Sequence, residues 1–418
     1  MIRNIISAAK NLIAQSAPPS KTTWGRGFYN QRSFVTGLAT EDHFPWTTEG
    51  YPIFIKKIYV PDAIPKGILV CAHGSWENGN VFRMPTEKGL DFLSLDHTKS
   101  LTNFFAAKGY LIYVLNFLGP RVNSRYVINK YGKNYAPTPF DEISFQKIVN
   151  DLAPTALNYL ARNDPGLPIF WLGHSLGGLA IYAYLATHCD ERIRAAVTLG
   201  SPVQLSKEQL FIFSLAMAGL FYKLTGLERM QPVQLLSEHA VTATKIVKII
   251  PDSLLKQAPV WNFENTTPDI LRLFIEKGTE GIPPEVFYFL VNMALTHQFT
   301  SLPLEGIRGL NLPHALSWLF GQKKIPLVKG KEPKVDYGAC LCSAKTPILA
   351  FYGEEDKVAS ESSIRPLKNM LPCADVEFAG VPKAGHCDLV FGKNAKEKVW
   401  QPALEFMERL REGVIIQP

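Results

Sequence analysis

Three residue types that can together perform nucleophilic acyl chemistry occur in chain order in this 418-residue sequence: Ser175, Asp356 and His386. A serine hydroxyl is a poor nucleophile until a base takes its proton, and an imidazole does this best when a carboxylate orients it and favours its charged form. Ser175 stands in Gly173-His174-Ser175-Leu176-Gly177, directly after the apolar run Pro168-Ile169-Phe170-Trp171-Leu172. A strand that ends in Gly-x-Ser-x-Gly and turns sharply into a helix holds its serine on a strained bend, and the glycines let strand and helix approach closely. Gly178 adds a further small residue. Asp356 closes the acidic turn Gly353-Glu354-Glu355-Asp356, where the apolar run ending at Tyr352 gives way to a loop. His386 lies in Ala384-Gly385-His386-Cys387-Asp388, past the last expected strand. Taken singly, Asp356 reads as a turn acid and His386 as a surface-loop histidine. Their joint order, each at the end of a strand, makes Ser175 the nucleophile, Asp356 the orienting acid and His386 the base. Cys387 reads as a neighbour rather than a second nucleophile.

An acyl-transfer site also needs donors placed in advance for the developing oxyanion. The amide of Leu176, right after the nucleophile, is one candidate. The other is the amide of Ser75 in His73-Gly74-Ser75-Trp76, which follows the apolar segment Gly67 to Ala72. Gly74 gives that turn its freedom, and His73 reads as a structural hydrogen-bonding residue.

Strands at 51–60, 67–72, 111–116, 168–172, 193–199, 347–352 and 374–378 alternate with helices at 100–108, 140–162, 179–187 and 397–411. Such alternation predicts an α/β fold, a mostly parallel sheet flanked by helices. It lapses between about residues 206 and 335, an interval rich in aromatics such as Trp261, Phe274, Phe287 and Phe289. The expected organisation is an N-terminal lead-in with an amphipathic helix (1–40), a core formed by 41–205 and 336–418, and a helical cap inserted at 206–335. The bland reading of the aromatics is the cap's own core. Some should nevertheless face the carboxyl ends of the strands, where ligands bind in open α/β sheets.

Composition narrows the function. The chain is 46% hydrophobic and 19% charged, as an ordinary globular protein is. Its formal net charge of +7 forms no basic stripe along a helix, which argues against nucleic acid. The basic segment from Lys323 to Lys334 is broken by glycine and prolines and reads as a solvated loop. Six scattered cysteines lack disulfide-scaffold density, and no His-Glu-x-x-His cluster or paired Cys spacing suggests a metal. Asn4, Lys10 and Asn11 interrupt any signal-peptide core, while Ile2, Ile5, Ile6, Ala9, Leu12 and Ile13 follow amphipathic-helix spacing. The apolar run from Leu210 to Phe221 is shorter than the ~20 residues a membrane span needs. These features predict a cytoplasmic protein, with peripheral membrane contact left open.

The pattern His73-Gly74, Gly-His-Ser-Leu-Gly, Gly353-x-x-Asp356 and Gly385-His386-x-Asp388-Leu389-Val390-Phe391-Gly392 resembles the α/β-hydrolase superfamily. Within it, the segment from Phe140-Asp141-Glu142 to Asp151-Leu152-Ala153-Pro154 and the His-x-Asp-hydrophobic ending resemble the acid-lipase branch. Two departures stand against that branch: acid lipases carry a secretion signal, and their residues after His-Gly differ from Ser75-Trp76-Glu77-Asn78. The stretch from Ser100 to Val114 is similar to part of the polyhydroxyalkanoate synthases, which use cysteine where this chain has Ser175. The resemblance implies a serine esterase or lipase acting on an apolar small-molecule or lipid ester without a cofactor. An acyltransferase or polyester synthase/depolymerase on the same scaffold, and a non-catalytic lipid-binding scaffold, are the competing expectations. Oligomeric state is not legible.

Overall fold

Strand formation follows apolar content most closely where both sheet faces are covered. In the computed structural model, which describes residues 32–116, 127, 129–132, 143–206, 208–209, 260–301 and 335–412, the strands are β1 (Ala39–His43), β2 (Phe54–Tyr59), β3 (Gly67–Ala72), β4 (Tyr110–Asn116), β5 (Ile169–His174), β6 (Ile193–Leu199), β7 (Thr300–Ser301), β8 (Val335–Asp336), β9 (Ile348–Gly353) and β10 (Val376–Val381). Eight of them form one sheet in the order β1-β2-β4-β3-β5-β6-β9-β10, and β7 and β8 form a separate ribbon. β1 and β2 pair antiparallel, as do β2 and β4. From β4 through β3, β5, β6 and β9 to β10 every pairing is parallel. β3, β4 and β5 are buried along their whole length, as parallel strands with helices on both faces should be. This is the α/β-hydrolase fold.

The flanking helices that matter for the site are α1 (Leu101–Ala107), α2 (Ala153–Asn163), α3 (Leu176–His188) and α4 (Gln401–Glu412). α3 is buried from Leu176 to Ala186, and its sequence is apolar on all sides. A helix of that composition belongs inside a protein, and here it follows the nucleophile segment directly.

Several expected boundaries move. β1 replaces part of the expected lead-in: its polar residues form an edge strand held by β2, with Asp42 paired to Lys56. The helix expected from Phe140 starts at Phe145, where Ser144 caps it by accepting the Lys147 amide. It passes through a wide turn at Ile148–Leu152 before α2. β10 runs to Val381 rather than Phe378, because its pairing with β9 continues to Gly353.

The N-terminal amphipathic segment, the apolar run 210–221, the basic segment 323–334 and most of 206–335 lie outside the described residues. Within that interval, 260–301 contains helices at Pro268–Leu273 and Pro284–Thr296. Its aromatics pack on the core as well as on each other. Phe289 stacks on Phe145 with ring centroids 3.9 Å apart, and Phe274 lies 5.2 Å from Phe391. Among the described residues no helix is long and apolar enough to cross a membrane.

Candidate active site

Ser175 sits between β5 and α3 with φ 50° and ψ −113°, a backbone conformation that a non-glycine residue adopts only under constraint. The constraint is visible around it. Its amide donates to Leu199 O (2.8 Å) at the end of β6, and Trp171 Nε1 donates to Gly177 O (3.0 Å) across the bend. At Gly177 a methyl group would stand 2.0 Å from Ala72 O, so only glycine lets α3 start against the end of β3. Gly173 is equally confined by the backbone of Gly177 and Gly178. The expected elbow is therefore present in its strained geometry.

Asp356 follows β9. Of the three neighbouring carboxylates it alone turns inward, being 5% exposed; Glu354 and Glu355 are exposed. One oxygen, Oδ1, accepts the amides of Val358 and Ala359 (both 2.8 Å), and Oδ2 accepts from His386 Nδ1 (2.7 Å). His386 is buried after β10. Burial alone would depress its pKa, but the charge and hydrogen bond of Asp356 outweigh this and hold it above the ordinary imidazole value. The His386–Asp356 pair packs on Gly200, where a methyl would stand 3.0 Å from His386 Nδ1 and 3.2 Å from Asp356 Oδ2. Gly200 follows Leu199, the acceptor of the Ser175 amide, so the three expected residues converge at the carboxyl ends of β5, β6 and β9. The thiol of Cys387 is pushed far up by burial and stays protonated, as expected of a neighbour.

The loop after β3 lies against the elbow: a methyl at Gly74 would stand 3.0 Å from Ser175 Cβ. The Gly74 amide is already used, donating to Glu77 Oε2 (2.8 Å). Among the described residues no acceptor is bonded to the Ser75 amide. Leu176 is the first residue of α3, where an N–H has no intrahelical acceptor. The expected donors, the amides of Ser75 and Leu176, thus lie on the loop after β3 and at the start of α3, on either side of Ser175. His73 is buried, with Nδ1 2.9 Å from Gly74 O, and burial lowers its pKa.

One site residue escaped the sequence reading. Glu77, 4% exposed, pairs with His174 Nδ1 at 2.8 Å, and His174 in turn reaches His386 O at 3.2 Å. The available signal was a carboxylate three residues past Gly74, in a loop that follows a fully apolar strand.

The His386 loop is fastened by Asp388. Its Oδ2 accepts the amides of Asn262 (2.6 Å) and Gly385 (2.8 Å), and Oδ1 accepts the Thr266 hydroxyl. Burial pushes Asp388 up to about 6 in spite of these donors. Asp388→Ala, which strands three donors, two of them buried, is expected to destabilise the protein by about 3 kcal/mol in urea unfolding. In Asp388→Asn the amide oxygen can still accept both N–H groups while its NH2 faces the Thr266 hydroxyl, so the loss should stay within about 1 kcal/mol. Equal losses in the two variants would contradict this account.

The chain is similar to several known proteins. Residues 100–262 match the family described as serine aminopeptidase, S33, a span that includes the elbow. A monoacylglycerol lipase of Mycolicibacterium smegmatis is 26% identical over 148 residues, which is 35% of this chain. The chain spans 42% of that relative's length. Similar solved structures include a thermostable carboxyl esterase from Bacillus coagulans (15% identity, TM-score 0.49, 89% of this chain and 99% of that one). An esterase from Exiguobacterium antarcticum (13%, 0.47, 88% and 100%) and a proline iminopeptidase from Mycobacterium smegmatis (15%, 0.46, 89% and 99%) are also similar.

Proposed function

We propose that this protein is a serine hydrolase that cleaves carboxylic esters through an acyl-enzyme. The observation that carries the reading is the buried His386–Asp356 pair, at 2.7 Å, packed on Gly200, the residue after the Leu199 that accepts the amide of the strained Ser175. His386 Nε2 takes the Ser175 proton as Oγ attacks the ester carbonyl, and Asp356 stabilises the imidazolium that forms. The oxyanion is received by the amides of Ser75 and Leu176. The imidazolium then protonates the departing alkoxide, and water repeats the sequence to release the acid and regenerate Ser175.

An apolar acyl group is supported by the aromatics near the oxyanion loop and the His386 loop. Trp76 meets Phe287 edge-on, and the backbone of Trp261 packs against Gly385. We read 206–335 as the cap over this region. The finer resemblance to acid lipases rests on the 140–154 segment and the His386-x-Asp388 ending, of which 140–142 lie outside the described residues. Serine in place of the synthases' cysteine favours hydrolysis over polymerisation.

The test is a fluorophosphonate probe with peptide mapping, followed by a panel of esters from acetyl to long-chain acyl and of aminoacyl amides. Labelling at Ser175 with ester turnover supports the reading. No labelling, amides cleaved faster than every ester, or transfer to added alcohols in place of free acid would overturn it. Because the base works only when neutral and His386 is held above the ordinary 6.5, kcat/KM should fall as pH drops through a value above 6.5. A midpoint below 6.5 would contradict the coupling to Asp356.

A further inference from the structure

Behind the His386–Asp356 pair lies a second carboxylate–imidazole pair, Glu77 and His174. Both side chains are buried. His174 Nε2 is 3.2 Å from the carbonyl oxygen of His386, and a peptide carbonyl can only accept, so Nε2 carries a proton. His174 Nδ1 is 2.8 Å from Glu77 Oε2, the same oxygen that accepts the Gly74 amide. With a neutral imidazole protonated only at Nε2, two lone pairs would face each other across 2.8 Å, too close for a water to stand between them. A proton therefore lies between Nδ1 and Oε2. The Gly74 N–H on that oxygen favours keeping the negative charge there, which leaves His174 as the doubly protonated partner. The direction of the Glu77 pKa agrees: burial raises it, but the charge and hydrogen bond of His174 and the Gly74 amide outweigh burial and hold it below the ordinary value.

We propose that Glu77 and His174 form a charged bridge that positions both halves of the catalytic apparatus. One end holds Gly74, and with it the loop that presents the Ser75 amide. The other end holds the main chain of His386, leaving its ring to Asp356. His174 ends β5 directly before Ser175, so one pair ties the end of β5 to the loops after β3 and β10. The rings of His174 and His386 also touch, with centroids 4.7 Å apart, so a shift of one carries the other. The bridge touches no reacting atom; Glu77 and His174 are positioning residues for the hydrolysis proposed above, on which this inference rests.

The experiment is nitrogen-15 NMR of histidine-labelled wild-type protein, with the His174 signals assigned by their absence in His174→Gln. Expected are two protonated ring nitrogens on His174 in the folded protein, and a bare Nδ1 in Glu77→Gln. Kinetically, Glu77→Gln should lower kcat about 10²-fold, the scale of a small misplacement of reacting groups, with KM changed less than about twofold. A bare ring nitrogen on His174 in the wild type, or a Glu77→Gln enzyme with wild-type kcat, overturns the bridge. The wild-type spectrum needs no variant to fold. A singly protonated His174 in an active esterase removes the bridge alone, whereas a doubly protonated His174 in a protein that turns over no ester removes the positioning role together with the esterase reading.

Discussion

Ser175→Ala is expected to lower kcat for ester cleavage about 10⁶-fold, the loss typical of removing the nucleophile from a serine-based triad, and to abolish fluorophosphonate labelling. The remaining rate should not fall to that of water, since the proposed donors, the Ser75 and Leu176 amides, would still stabilise an oxyanion formed by direct water attack. Stability should change in the opposite sense to activity. Ser175 occupies a φ of 50°, and its side chain makes no local cap. The strain is held by Gly177 against Ala72 and by the Ser175 amide on Leu199, none of which the substitution touches. Urea unfolding of the variant should therefore give a midpoint at or above that of wild type. A variant that loses activity through unfolding would show a lowered midpoint, and one that keeps turnover within tenfold would remove Ser175 from the mechanism.

How much of this could be read beforehand depended on how local the determining forces were. β3 was legible because a strand covered on both faces must be apolar at every position, and Gly67-Ile68-Leu69-Val70-Cys71-Ala72 is. β1 was not, since an edge strand carrying Thr40, Glu41 and Asp42 owes its existence to pairing with β2 rather than to its own composition. The same holds for the end of β10, which continues as far as its ladder with β9. For the site, the Gly-x-Ser-x-Gly spacing and the chain order of acid and histidine are local signs of a known geometry. For the Glu77–His174 pair the only local sign is the carboxylate in the loop after β3; nothing in the sequence points to its partner. The pair's members are 97 residues apart, and only the placement of β3 beside β5 brings them together.

Asp356→Asn should lower kcat about 10⁴-fold while leaving the fold intact, and the structure indicates why so small a change would be so costly. Asp356 Oδ1 is held by two amide donors, from Val358 and Ala359. An asparagine in that place must keep its carbonyl oxygen there, because turning its NH2 toward two N–H groups would leave three donors facing one another. Its NH2 is thereby directed at His386 Nδ1, which can then only accept. The imidazole proton is forced onto Nε2, the nitrogen that in the proposed mechanism must be bare to take the proton of Ser175. The enzyme would be folded, correctly shaped and held in the wrong tautomer. Two measurements separate this from simple loss of charge. The pKa of His386, raised in the wild type by Asp356 against the effect of burial, should fall below 6.5 in the variant. The residual rate should rise with hydroxide concentration, since an external base can replace the blocked nitrogen. A variant with near-wild-type kcat, or an unmoved acid limb of kcat/KM, would show that Asp356 neither fixes the tautomer nor stabilises the imidazolium.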